Sequence, residues 1–187
     1  MSAFQDRPNT ALLVIDLQNL VVDGAFRRDE VVGAVKGLVD RAHEGNVPVV
    51  WVQHEAEHLP PNTHEWEFVP ELQQQQQEGD RLVPKTYGDA FEGTILDEVL
   101  EDFGVGRIVV TGAETDACIR STIHGGFTRG YDVTLVADAH TAGDKTEWGA
   151  PPVAQVIEHT NLYWQFQGGV GKTASVETAD QVSFATD

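Results

Sequence analysis

Three side chains, far apart in the chain, carry the chemistry of acyl transfer: Asp16, Lys85 and Cys118. Cys118 is the one cysteine in the sequence; it follows the turn at 112–117 and stands near the start of a helix. Free N–H groups and partial positive charge at such a place favour a thiolate. A nearby ammonium such as that of Lys85 would lower the thiol pKa further. A carboxylate such as that of Asp16 can take the thiol proton and later deliver it to a leaving amine. Backbone N–H groups of the turn can bind the developing oxyanion. Position alone leaves plainer readings open: a small buried hydrophobic cysteine, a capping aspartate, a solvated lysine.

The elements that must position these residues follow from the hydropathy pattern. Residues 11–16 (A-L-L-V-I-D) are a continuous apolar run ending in a carboxylate, the signature of a strand buried on both faces. Residues 29–43 place Val31, Val32, Val35, Leu38, Val39 and Ala42 at helical spacing, and Gly45 stops the helix. Residues 47–53, 81–85, 107–111 and 132–138 read as four further strands. Residues 94–103, 116–129 and 152–166 read as helices, and 174–184 as the place for a last short strand. This alternation predicts an α/β fold: a Rossmann-like three-layer sandwich, one domain over 1–187. Its mostly parallel central sheet has about five to six strands covered by helices on both faces. Ligands bind such sheets at the carboxyl ends of the strands. Asp16 ends the first strand, Lys85 ends the third and Cys118 opens the helix after the fourth, so the topology carries all three to one edge.

Composition narrows the partners. Thirty acidic residues against twelve basic ones give a formal net charge of -18, which disfavours nucleic acid, whose phosphates call for a basic face. The acidic residues are dispersed and only four lysines are present, a pattern suited to high salt, where self-repulsion is screened. No apolar run reaches the length of a membrane span, and the polar first ten residues lack the layout of a secretory signal. A single cysteine excludes an internal disulfide framework. A cytoplasmic protein acting on a small molecule, without membrane or nucleic-acid partners, is the expectation.

Five segments resemble the isochorismatase-like cysteine hydrolases: V-I-D-L-Q (14–18), V-V-W-V-Q-H (49–54), P-K-T-Y-G-D-A-F-E-G-T-I-L (84–96), V-V-T-G-A-E-T-D-A-C (109–118) and V-A-D-A-H (136–140). They occur in the right order and on the right elements. The resemblance implies an Asp–Lys–Cys triad on Asp16, Lys85 and Cys118. It also implies a non-proline cis peptide at Ala113–Glu114 and an oxyanion hole from the N–H groups of Glu114 and Cys118. Gln18, His54 and Tyr87, in these segments, and Trp66, in the loop after the second strand, are the candidate substrate contacts. The implied reaction is cleavage of a small amide or related C–N bond through a thioester. The alternatives are a vinyl ether hydrolase of the same superfamily in which Cys118 is incidental, and a non-catalytic binding member. The resemblance also implies a homo-oligomer, a dimer or dimer-based assembly, for which the apolar stretch 161–166 is the candidate interface.

No cofactor is expected. The Asp-x-His metal pair of nicotinamidases aligns with His54 and Ala56 and is broken. His54, His58 and His64 lie in one loop and are the only other candidate ligands. That loop, 54–80, is long and irregular, as functional loops often are. Its Trp66 and Phe68 either wall the substrate or anchor the loop to the core. G-G-V-G-K-T at 168–173 imitates a phosphate-binding loop, but the required first glycine is replaced by Phe166 and no long helix follows.

Overall fold

The computed structural model describes residues 2–4 and 6–185; Met1, Gln5, Thr186 and Asp187, parts of the expected polar N-terminus and single domain, lie outside the described residues. Seven strands form one sheet in the order β3-β2-β1-β4-β5-β7-β6. They are β1 (Asn9–Ile15), β2 (Val49–His54), β3 (Arg81–Lys85), β4 (Val105–Ala113), β5 (Asp132–Thr141), β6 (Gly168–Gly169) and β7 (Lys172–Glu177). Every pairing is parallel except that of β6 with β7. The expected five to six strands are present, and the two-residue β6 is the addition.

Burial on both faces explains the unbroken apolar run of β1. Ala11, Leu13 and Ile15 enter a core with α3 (Leu96–Asp102), α4 (Arg120–Arg129) and Trp164 of α5 (Val153–Gln165). Leu12 and Val14 enter the opposite core with α1 (Arg28–Glu44) and with Leu72 of α2 (Pro70–Gln73), a single turn inside the loop expected to be irregular. The alternating strand positions thus feed two separate cores. The chain builds β1–β2–β3 outward in one direction and β4–β5–β7 in the other. A crevice therefore opens between the carboxyl ends of β1 and β4, where the order reverses. Close approach of these two strands requires Gly112: a Cβ there would stand 1.9 Å from the Ile15 carbonyl oxygen, and its φ is 124°.

The G-G-V-G-K-T segment folds as the β6–β7 hairpin, with Gly168 paired to Thr173 and Gly169 to Lys172, and β7 then runs parallel to β5. The stretch 161–166 divides between two roles. Trp164 is buried and donates from Nε1 to the Val133 carbonyl, and Asn161 bonds Ala137 and His140, whereas Leu162 and Phe166 are exposed.

Candidate active site

The three strand ends bring the candidate residues together. Asp16 follows β1 with φ 51°, a strained conformation for a non-glycine residue. Its N–H bonds the Val52 carbonyl, which fixes the turn against β2. His54 and Lys85 are register partners at the ends of β2 and β3. Cys118 lies in a π-helical turn, Thr115–Ile119, that leads into α4. The Lys85 ammonium is the hub. It pairs with the Asp16 carboxylate at 2.7 Å and donates to His54 Nδ1 at 3.1 Å, the Tyr87 carbonyl at 3.1 Å and Cys118 Sγ at 3.2 Å. The ligand atoms of Asp16, His54 and Cys118 lie within 4.8 Å of one another. A cavity of about 310 Å³ opens onto them, walled by Leu20, Val21, His58, Leu59 and Glu114. The Ala113–Glu114 peptide is cis.

The electrostatics differ from the expected thiolate. Burial, and next the Asp16 carboxylate, push the Cys118 thiol up to about 12, outweighing Lys85. Burial likewise raises Asp16, against the pull of Lys85. In this cluster burial thus favours the protonated form of both the carboxyl and the thiol, and Lys85 opposes it in both. A cysteine near a helix start gains little from partial charges when desolvation and an adjacent carboxylate act against it.

Of the expected substrate contacts, His54 lines the cavity, and Gln18, Trp66 and Tyr87 lie outside its lining. Gln18 is fully buried: its amide donates to the His54 and Trp66 carbonyls at 3.0 and 2.8 Å, and its Oε1 accepts from His54 N–H at 2.9 Å. It is a pin for the loop, spent on backbone. Tyr87 gives its carbonyl to Lys85 and leaves its ring half exposed. Trp66 is partly buried, and Phe68 is packed edge-on to Trp51 with ring centroids 5.4 Å apart; neither borders the cavity. His64 points to Glu67 at 3.9 Å, away from His54 and His58 in role, so the three loop histidines make no joint ligand set. The one cluster of ligand type among the described residues is Asp16, His54 and Cys118. Lys85 already contacts all three, so a cation at their centre would meet an ammonium.

Sequence reasoning missed two supports. Lys145 donates to the Glu114 carboxylate at 3.0 Å and the Asp116 carboxylate at 3.0 Å, and Gly143 N–H donates to the same Glu114 oxygen, bracing the turn before Cys118. Buried His140 lies between Thr115 and Asn161, both at 2.9 Å. Since Asn161 Nδ2 donates to the Ala137 carbonyl, its oxygen faces His140 Nε2–H, and Thr115 donates to Nδ1. Neither support has a signal in local sequence beyond its residue type.

Residues 10–150 match the family model described as the isochorismatase domain. The chain belongs to the isochorismatase family. Among isochorismatase-family relatives, it is 33% identical over 144 residues to a streptothricin hydrolase of Streptomyces noursei; the match covers 74% of this chain and 56% of that protein. It is 32% identical over 146 residues to a nicotinamidase of Arabidopsis thaliana, covering 69% of this chain and 71% of that one. A solved cysteine hydrolase of Pseudomonas syringae pv. phaseolicola has the same fold, with TM-score 0.82, 23% identity and coverage of 92% and 89%. The isochorismatase family is hydrolytic, and this member is a hydrolase. Among the described residues, no helix is long and apolar enough to cross a membrane.

Proposed function

We propose that this family member is a cysteine hydrolase that cleaves a small amide or related C–N bond through a thioester on Cys118. The observation that carries the reading is the Lys85 ammonium bridging the Asp16 carboxylate and the Cys118 sulfur at one end of a cavity. In this reading Asp16 takes the thiol proton as sulfur attacks the carbonyl carbon, and Lys85 steadies the negative charge that moves from carboxylate to sulfur. The N–H groups of Glu114 and Cys118 bind the oxyanion. Protonated Asp16 hands its proton to the leaving amine as the C–N bond breaks. Water then attacks the thioester, Asp16 takes the water proton, and the acid leaves as the thiol reforms. Burial raises the proton affinity of Asp16 above that of an ordinary carboxylate, which makes it a better acceptor for the thiol proton. The nicotinamidase and hydrolase relatives support an amide substrate.

The test is a panel of small carboxamides, carbamoyl compounds and lactams with wild type and Cys118→Ala. Turnover that disappears in Cys118→Ala, with an acyl adduct of Cys118 in the wild-type mass spectrum, is expected. Turnover that survives Cys118→Ala overturns the thioester. Exposed Leu162 and Phe166 fit a homo-oligomer.

A further inference from the structure

His54 has no step in the chemistry above, yet its ring is fixed beside it. An ammonium can only donate, so in the Lys85 Nζ to His54 Nδ1 contact at 3.1 Å the imidazole nitrogen is the acceptor. A neutral imidazole with a bare Nδ1 carries its proton on Nε2. The ring is neutral because burial, then the Lys85 charge, then His58 pull its pKa down to about 4. Turning the ring over would set a C–H against the ammonium and lose the bond. The backbone at both sides is held too: His54 N–H and carbonyl are both bonded to Gln18. His54 shares the cavity wall with Cys118, and its Nε2 has no hydrogen-bond partner among the described residues. The rest of that wall is mixed: Leu20, Val21 and Leu59 are apolar, and Asp16, His58 and Glu114 are polar.

We infer that His54 is a specificity-determining residue, a fixed N–H donor that selects compact amides carrying a second hydrogen-bond acceptor apart from the scissile carbonyl. The inference rests on the amide reading above and adds what the body of the substrate must offer. A donor locked in place and left without a partner rewards a matching acceptor and is left unpaired by an isostere that lacks one.

Two measurements on the full chain test it. In protein labelled with ¹⁵N-histidine, a ring correlation spectrum near pH 7 should show His54 with a proton on Nε2 and none on Nδ1. Lys85→Met should relax it to a mixture of tautomers. A proton on Nδ1, or on both nitrogens, overturns the donor assignment whatever the enzyme turns over. For selectivity, benzamide is compared with picolinamide, nicotinamide and isonicotinamide, which differ from it by one ring C–H replaced with an acceptor nitrogen. Each is tested as a protector of Cys118 against iodoacetamide, read by intact mass. At least one pyridine amide should protect at about fivefold lower concentration than benzamide, the scale of one net hydrogen bond. The gap should persist in His54→Gln, whose amide reaches the Nε2 position, and collapse in His54→Asn, whose shorter side chain offers only the oxygen toward Lys85. Equal protection by all four amides in wild type, or a gap that survives His54→Asn, overturns the selectivity. Neither readout requires turnover, so loss of the hydrolase reading would appear separately, as binding without cleavage.

Discussion

Replacing Lys85 with methionine removes the cation from a carboxylate that is 1% exposed and keeps most of the side-chain volume. The ion pair it breaks is 2.7 Å long. Breaking a buried pair from one side costs about 3–5 kcal/mol. A ceiling follows from titration: Asp16 can escape by binding a proton, and protonating an ordinary carboxyl of pKa near 3.9 at pH 7 costs about 4 kcal/mol. The penalty should therefore be about 4 kcal/mol at pH 7 and shrink by about 1.4 kcal/mol per pH unit on acidification, leaving roughly 1.5 kcal/mol at pH 5. The sign is set by proton uptake. Burial already raises Asp16 in the folded state and Lys85 opposes it, so without Lys85 the folded state binds more protons than the unfolded state and stability falls as pH rises. Urea unfolding of wild type and Lys85→Met at pH 5, 6 and 7 measures this directly. Adding Asp16→Asn to Lys85→Met should remove the pH dependence and recover most of the loss at pH 7. A Lys85→Met penalty that is equal at pH 5 and pH 7, or larger at pH 5, would refute the argument that the ammonium exists to neutralise a buried carboxylate.

With its thiol pushed up to about 12, Cys118 should react with iodoacetamide about tenfold faster per pH unit from pH 7 to 10 with no plateau, and a plateau near neutrality in the mass-spectrometric rate would contradict it. Gly112→Ala should strip activity and lower the melting temperature strongly, because its Cβ would collide with the Ile15 carbonyl between the two strands that hold Asp16 and Cys118; a variant with native melting would contradict the close approach. The charge of -18 should make the melting temperature rise between dilute buffer and molar potassium chloride, where the Debye length falls to about 3 Å; a flat or falling series removes the high-salt reading. Light scattering at micromolar concentration should report an oligomer, and a monomer would reject the interface at Leu162 and Phe166.

Much of the framework was readable before any coordinates. The unbroken run at 11–16 could only be a strand covered on both faces, and the alternation of strand and helix patterns dictated parallel order. Since chemistry in such sheets sits at the carboxyl ends, Asp16, Lys85 and Cys118 were marked by their position at the ends of apolar runs, and the motif resemblance selected the same three. What was missed lies where local pattern carries no information. The turn Pro70–Gln73 and the two-residue strand Gly168–Gly169 are too short to show a period. Gln18 and Trp66 read as polar and aromatic residues near a site. Only long-range bonds, to His54 and to the loop carbonyls, show that Gln18 holds the loop and Trp66 accepts that support.

The charge state of the site was decided entirely by the tertiary structure. Residue types and a helix start argued for a thiolate. The fold partly buries Cys118, sets a carboxylate beside it and shares one ammonium among four acceptors, which pushes the thiol pKa up. Types and spacing are properties of the chain, and the sequence determines them alone. Desolvation, the distance between charges from different strands and the tautomer that Lys85 imposes on His54 exist only once 102 residues of separation between Asp16 and Cys118 have been folded away. These energies depend on what surrounds each group in space, and neighbours in the chain do not specify that.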